Sequence, residues 1–195
     1  MKHLELDAQL FDAYFDRKPF YVSHRLMDHP LFSLKELAAL STRLPAPLVE
    51  ADDGQTSEKA IDPTRKASRS PAETILQAAE RPAAVTLRQV QNDPRYQQLL
   101  DEILDEMKPL TEKIRPGMCR REGFIFVSSC QKVTPYHFDP EHNFLLQVRG
   151  HKTVYMWDPN DRFVLSERTI EDSYLHPDQD LAQRPHYDER YLSTA

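Results

Sequence analysis

Fifteen prolines and only four glycines divide the 195 residues of this chain, and they set the grain of any fold it adopts. Proline fixes φ and lacks a backbone donor, so it opens helices, ends them or sits between strands, and it is kept out of central strands. Most of the prolines here stand at joints, among them Pro19, Pro30, Pro45, Pro47, Pro71, Pro82, Pro94, Pro116, Pro140 and Pro159. They form no proline-rich tract. The chain is therefore read as short elements joined by turns.

Helical signals come first. Ser33 with Glu36 three residues on makes a capping box, and Leu34, Leu37, Ala38 and Leu40 form an apolar face that Pro45 and Pro47 stop. Ser70, Pro71 and Glu73 predict a second helix over 71–80. The clearest helix spans 94–114, capped by Asp93 and opened by Pro94, with Leu99, Leu100, Ile103, Leu104, Met107, Leu110 and Ile114 at helical spacing. Its other face is charged, as in a helix packed on one side. Residues 20–22 and 48–49 are β-prone, and 84–90 reads as a strand or as the approach to the next helix. Beyond Pro116-Gly117, strands are expected at 122–129, 144–149 and 153–157, the last two joined at Gly150-His151. Asp158-Pro159-Asn160-Asp161 is a turn, and Ser166 caps a short helix to 175. Helices early and strands late describe an α+β protein, or helices capping a β-barrel. The expected division is an N-terminal helical and strand region, 1–118, with an exposed loop at 51–70, and a barrel region, 119–195.

Composition narrows the class. The formal charge is −6, and no basic run exceeds Arg65-Lys66 or Arg120-Arg121, so binding through nucleic-acid phosphates is not expected. The longest apolar stretch, 123–127, is far below the ~18–20 residues of a membrane span. Residues 1–18 lack the apolar core of a signal peptide. Cys119 and Cys130 make neither a disulfide framework nor a CxxC site, and read as reduced thiols in a cytoplasmic protein. There is no GxSxG, P-loop or GxGxxG motif.

One segment carries chemistry: residues 134–152, TPYHFDPEHNFLLQVRGHK. On an extended chain His137 and Asp139, two apart, point to one face, so an imidazole and a carboxylate can reach one metal. With a distant histidine they would make the 2-His-1-carboxylate set that leaves positions open on Fe(II). Alone, H-x-D reads as a surface or turn feature. Lys152 follows His137 by 152 − 137 = 15 residues, beyond the Gly150 turn. It can reach a co-substrate carboxylate, or it is a solvated hairpin lysine. Asn143, Leu145 and Gln147 share one face by period two, and Phe144, Leu146 and Val148 the other. Such a strand lines a polar pocket, or lies half-exposed to water. Thr134 could offer a hydroxyl.

Taken together, T-x-x-H-x-D-x-x-x-N-x-x-x-Q-x-x-G-x-K resembles the corresponding stretch of the factor-inhibiting-HIF asparaginyl hydroxylase group and of bacterial cupin-like JmjC proteins. Residues 158–167 also resemble the bacterial members, and 19–48 does so more loosely. The resemblance implies an Fe(II)- and 2-oxoglutarate-dependent dioxygenase, a hydroxylase on a double-stranded β-helix (cupin or jelly-roll) with helices packed against it. It implies that His137 and Asp139 are iron ligands. It also implies that Thr134 and Lys152 hold the 2-oxoglutarate C5 carboxylate, and that Asn143 lies beside the co-substrate. Gln147 and Leu145 would line the pocket. The substrate would be a protein side chain or a small molecule.

The family's third ligand is a histidine on a late strand after a Gly-Asp turn. The histidines after Asp139 are His142, His151, His176 and His186, and all four read as surface residues. Lacking that strand, the chain is expected to hold an incomplete barrel, as a truncated gene product or the front part of a longer oxygenase. It would then be completed by a partner chain or by homodimerisation, and would bind iron weakly. The rival reading is a non-catalytic cupin-like module that binds a carboxylate or a partner.

Overall fold

The computed structural model describes residues 2–52, 69–80, 84–129, 134, 136–139 and 141–175. The chain forms two compact units. One comprises Met1–Leu6 with Ser23–Val133, the other Asp7–Val22 with Thr134–Ala195.

The first unit is built on a three-stranded antiparallel sheet, β3 (Val49–Asp52), β4 (Ala84–Leu87) and β5 (Ile125–Ser128), in the order β3-β4-β5. Val49 pairs with Leu87, and Leu87 with Ile125. The alternation of β4 decides its faces: Val85 and Leu87 are buried, while Ala84 and Thr86 are half-exposed. Two helices, α2 (Leu34–Arg43) and α3 (Pro71–Leu76), pack on each other. A core of Leu37, Leu40, Leu44, Ile75, Val85, Leu87, Val90 and Tyr96 joins helices and sheet. Each fully buried aliphatic side chain contributes about 1.5–3 kcal/mol. Gly123 lies at a close approach, for a Cβ there would stand 2.9 Å from Val90 Cγ2.

Helix α4 (Pro94–Thr111) buries Tyr96, Leu99, Ile103, Met107 and Thr111, one stripe at three- and four-residue spacing. Asp93 caps it, accepting from Arg95 N at 3.1 Å, and also accepts from Arg43 Nε at 2.8 Å. Glu36 accepts from Arg43 and Arg95 at 2.9 and 2.7 Å. Tyr96 Oη donates to Leu31 O at 2.7 Å. At the N-terminus β1 (Leu4–Glu5) pairs with β2 (Ser23–His24). Glu106 ties β1 to α4 by accepting from His3 N and Leu4 N at 2.6 and 3.0 Å.

In the second unit Asp7 caps α1 (Ala8–Tyr14), accepting from Gln9 N and Leu10 N. Phe11 and Phe15, one turn apart, bury their rings, and Phe20 meets Phe11 edge-on at 5.0 Å. Asp158 accepts from Asn160 N at 2.8 Å and holds the expected turn. Ser166 Oγ accepts from Thr169 N at 3.2 Å before α5 (Glu167–Leu175).

Several expectations change. The strand expected at 20–22 falls at Ser23–His24, because Phe20 is drawn into the aromatic cluster. The helix expected over 71–80 ends at Leu76, and the one over 94–114 ends at Thr111. Ser70 and Glu73 make the full reciprocal box. At Ser33 the hydroxyl caps Glu36 N, but the Glu36 carboxylate is taken by the two arginines. Among the described residues, 144–149 and 153–157 carry no ladder pairing, and the strands form a two-stranded and a three-stranded sheet. A period-two pattern needs only extended backbone, whereas a strand needs a partner's donors and acceptors. Residues 53–68 of the expected exposed loop lie outside the described residues.

Candidate metal centre

Over 136–139 and 143–148 the residues of the chemistry-bearing segment sort by parity, whereas Thr134, His142 and Lys152 are exposed at even positions. Tyr136, Phe138, Phe144, Leu146 and Val148 are half-buried, while His137, Asp139, Asn143, Leu145 and Gln147 are exposed. This is the alternation expected from the sequence, present without ladder pairing among the described residues. The inner set has visible partners within its unit. Phe144 stacks on Phe15 with ring centres 6.0 Å apart, and Tyr136 meets Trp157 edge-on at 5.3 Å. Burial raises the Tyr136 phenol above its ordinary value. Tyr136 and Phe144 are anchored in this way, and their odd-numbered neighbours His137, Asn143 and Leu145 point outward.

On that outer face His137 Nε2 lies 3.8 Å from Asp139 Oδ2. Asn143 Nδ2 donates to the same Oδ2 at 2.5 Å. Imidazole nitrogen and carboxylate oxygen bind a divalent cation at about 2.0–2.2 Å, so adjacent donors on one metal stand about 3 Å apart. The observed pair needs less than ~1 Å of closure, within reach of side-chain rotation. In type and position the two groups fit a metal. Among the described residues no third His, Cys, Asp or Glu gathers with them.

The other expected site residues are more dispersed. Gln147 Nε2 donates to Arg149 O at 2.7 Å, a contact within its own turn. Leu145 is 55% exposed. Thr134 and Lys152 are exposed. Gly150, at φ +74°, makes the left-handed turn that precedes Lys152. Tyr155 is 49% exposed.

His142 is committed elsewhere. Its Nε2 lies 2.9 Å from Asp16 Oδ1, and its ring stacks on Phe15 at 5.4 Å. His151 is exposed at the turn. His176 and His186 lie outside the described residues. The role of 7–22 in this unit was not read from the sequence. Its signal was there: Asp7 as a cap, followed by Leu10, Phe11, Tyr14 and Phe15 at helical spacing.

No described helix is long and apolar enough to cross a membrane. No curated protein and no solved structure matches the chain. The sequence pattern of the cupin-like domain matches residues 47–190, about three quarters of the chain and the whole of the segment just described. The chain belongs to the cupin-like domain family.

Proposed function

We propose that this chain carries an Fe(II)- and 2-oxoglutarate-dependent dioxygenase site, a hydroxylase of the cupin-like JmjC type akin to the factor-inhibiting-HIF asparaginyl hydroxylase group. The observation that carries the reading is the His137–Asp139 pair, 3.8 Å apart on one exposed face, with Asn143 donating to the carboxylate. His137 and Asp139 would hold the iron. Asn143 fixes the rotamer of Asp139 by its hydrogen bond. Lys152, with Thr134, supplies the cation and hydroxyl for the distal carboxylate of 2-oxoglutarate. Leu145 and Gln147, on the same face as Asn143, border the co-substrate. Iron with bound 2-oxoglutarate supplies O₂ activation, in which one oxygen atom enters the substrate, the other enters succinate, and CO₂ leaves. The third donor of the family's set is not among the described residues, and a partner chain or a second copy that completes a jelly-roll would supply it.

A second reading is supported by the openness of the site, for the His137 and Asp139 side chains are 58% and 47% exposed. Oxidative chemistry needs a site from which water is excluded, whereas a carboxylate-binding or partner-binding cupin-like module does not. Anaerobic Fe(II) and 2-oxoglutarate titration of the full chain, followed by admission of O₂, separates the two. The oxygenase reading expects the visible charge-transfer band of the ternary complex and succinate release above a His137→Ala control. Binding without succinate favours the module. Succinate release no greater than in the control rejects turnover by this chain.

A further inference from the structure

Residues 7–22 lie outside the family match yet share a compact unit with residues 134–195. Their contacts reach the segment that bears the candidate metal ligands. After α1 the backbone turns at Asp16, φ 62°, a left-handed conformation that aspartate tolerates better than most residues. The turn places the Asp16 carboxylate 2.9 Å from His142 Nε2. A carboxylate only accepts, so Nε2 carries the hydrogen and donates it, whether the imidazole is neutral or charged. Beside this bond Phe15, 7% exposed, stacks on the His142 ring at 5.4 Å and on Phe144 at 6.0 Å. Phe15 stacks in turn on Phe11, which is fully buried. His142 and Phe144 flank Asn143, the residue that donates to Asp139.

We propose that Asp16 and His142 form a latch, with Phe15 as its bearing surface, that positions the Asp139–Asn143 segment for metal binding, so that the N-terminal extension is part of the site's support. This rests on the reading of His137 and Asp139 as metal ligands. The physical logic is that of an outer shell. Among the described residues the 134–158 segment carries no ladder pairing, and Phe15 and Asp16 contact it through their side chains. A ligand pair on such a segment is only as well placed as those contacts make it. Asp16, His142 and Phe15 are positioning residues that act through Asn143 and Asp139.

The test uses the full chain, with Asp16→Ala, His142→Ala, the double variant and Asp16→Asn. One readout is the dissociation constant for Mn(II), followed by loss of its free-ion EPR signal. A second, independent of metal, is the ¹⁵N order parameters of residues 137–148, with β5 as internal reference. The latch expects wild-type order parameters near those of rigid backbone, about 0.85, falling below about 0.6 in each single alanine variant while β5 is unchanged. Mn(II) affinity falls about tenfold in step. The double variant is no worse than either single one, because both remove the same bond. Asp16→Asn, whose amide oxygen still accepts, restores most of both signals. Unchanged order at 137–148, additive effects in the double variant, disorder at 137–148 already in the wild type, or a loss that extends through β5 would each overturn the latch. If the wild type takes up no Mn(II), the metal reading fails by itself, and the order parameters still decide the latch.

Discussion

Replacing Asn143 tests whether the exposed pair is tuned as a metal site. Asn143 Nδ2 lies 2.5 Å from Asp139 Oδ2. A hydrogen bond to a charged group contributes about 1.5–3 kcal/mol when desolvated. The Asp139 side chain is 47% exposed, so solvent screening brings the net value to about 1 kcal/mol. Loss of an outer-shell partner lowers metal affinity by about 10- to 100-fold, which is about 1.4–2.7 kcal/mol. The exposure of this site puts Asn143→Leu at the lower end, about tenfold weaker in Mn(II) or anaerobic Fe(II) titration. Asn143→Asp acts in the other sense. It sets a second carboxylate beside Asp139, at a repulsion of about 1 kcal/mol for 4 Å in water, and a divalent cation relieves that repulsion. Its metal affinity is therefore expected to equal or exceed that of the wild type. Calorimetric titration of both variants against His137→Ala gives the reading. Unchanged affinity in Asn143→Leu, with binding abolished in His137→Ala, would refute the outer-shell role.

The first unit offers two further checks. Burial pushes the Asp93 carboxyl up, but hydrogen bonds from Arg43 and from Arg95 outweigh it and hold the group below its ordinary 3.8. Its contribution is thus complete above the unfolded value and is lost as pH falls through the folded one. Asp93→Ala should lower stability by about 2 kcal/mol at neutral pH, roughly half from the helix cap and half from the partly exposed Arg43 pair. Urea titrations should show the gap to wild type shrinking below pH 3.8, and a gap that holds constant there would contradict the ion-pair share. Leu87, fully buried on β4, should cost about 3 kcal/mol on change to Ala. Phe126→Ser, at a side chain 60% exposed on β5, should stay within about 0.5 kcal/mol. Equal losses at the two would reject the assignment of the sheet's faces.

Local signals were legible where a few neighbouring residues settle the outcome. Asp93-Pro94, Ser70-Pro71 with Glu73, and Ser166 each mark a helix start, because a cap is satisfied by the backbone donors two or three positions away. The faces of 143–148 were legible for the same reason, since period two is a property of extended backbone alone. The pairing of His137 with Asp139 and Asn143 also follows from short separations along one segment.

What no local pattern contained was partnership between distant residues. Glu36 matches a capping-box acid, yet Arg43 and Arg95 outbid the backbone for its carboxylate. Phe20 has the β propensity of a strand residue, yet Phe11 takes its ring. His142 stands beside His137 and Asp139 in sequence, yet its ring nitrogen meets Asp16, 126 positions earlier. The sequence determined the donor types, their spacing and the helix ends, because those depend on covalent neighbours. Tertiary structure alone decided which of the two faces is turned to solvent and which distant side chains meet the segment, because buried rings and paired charges select partners by proximity in space.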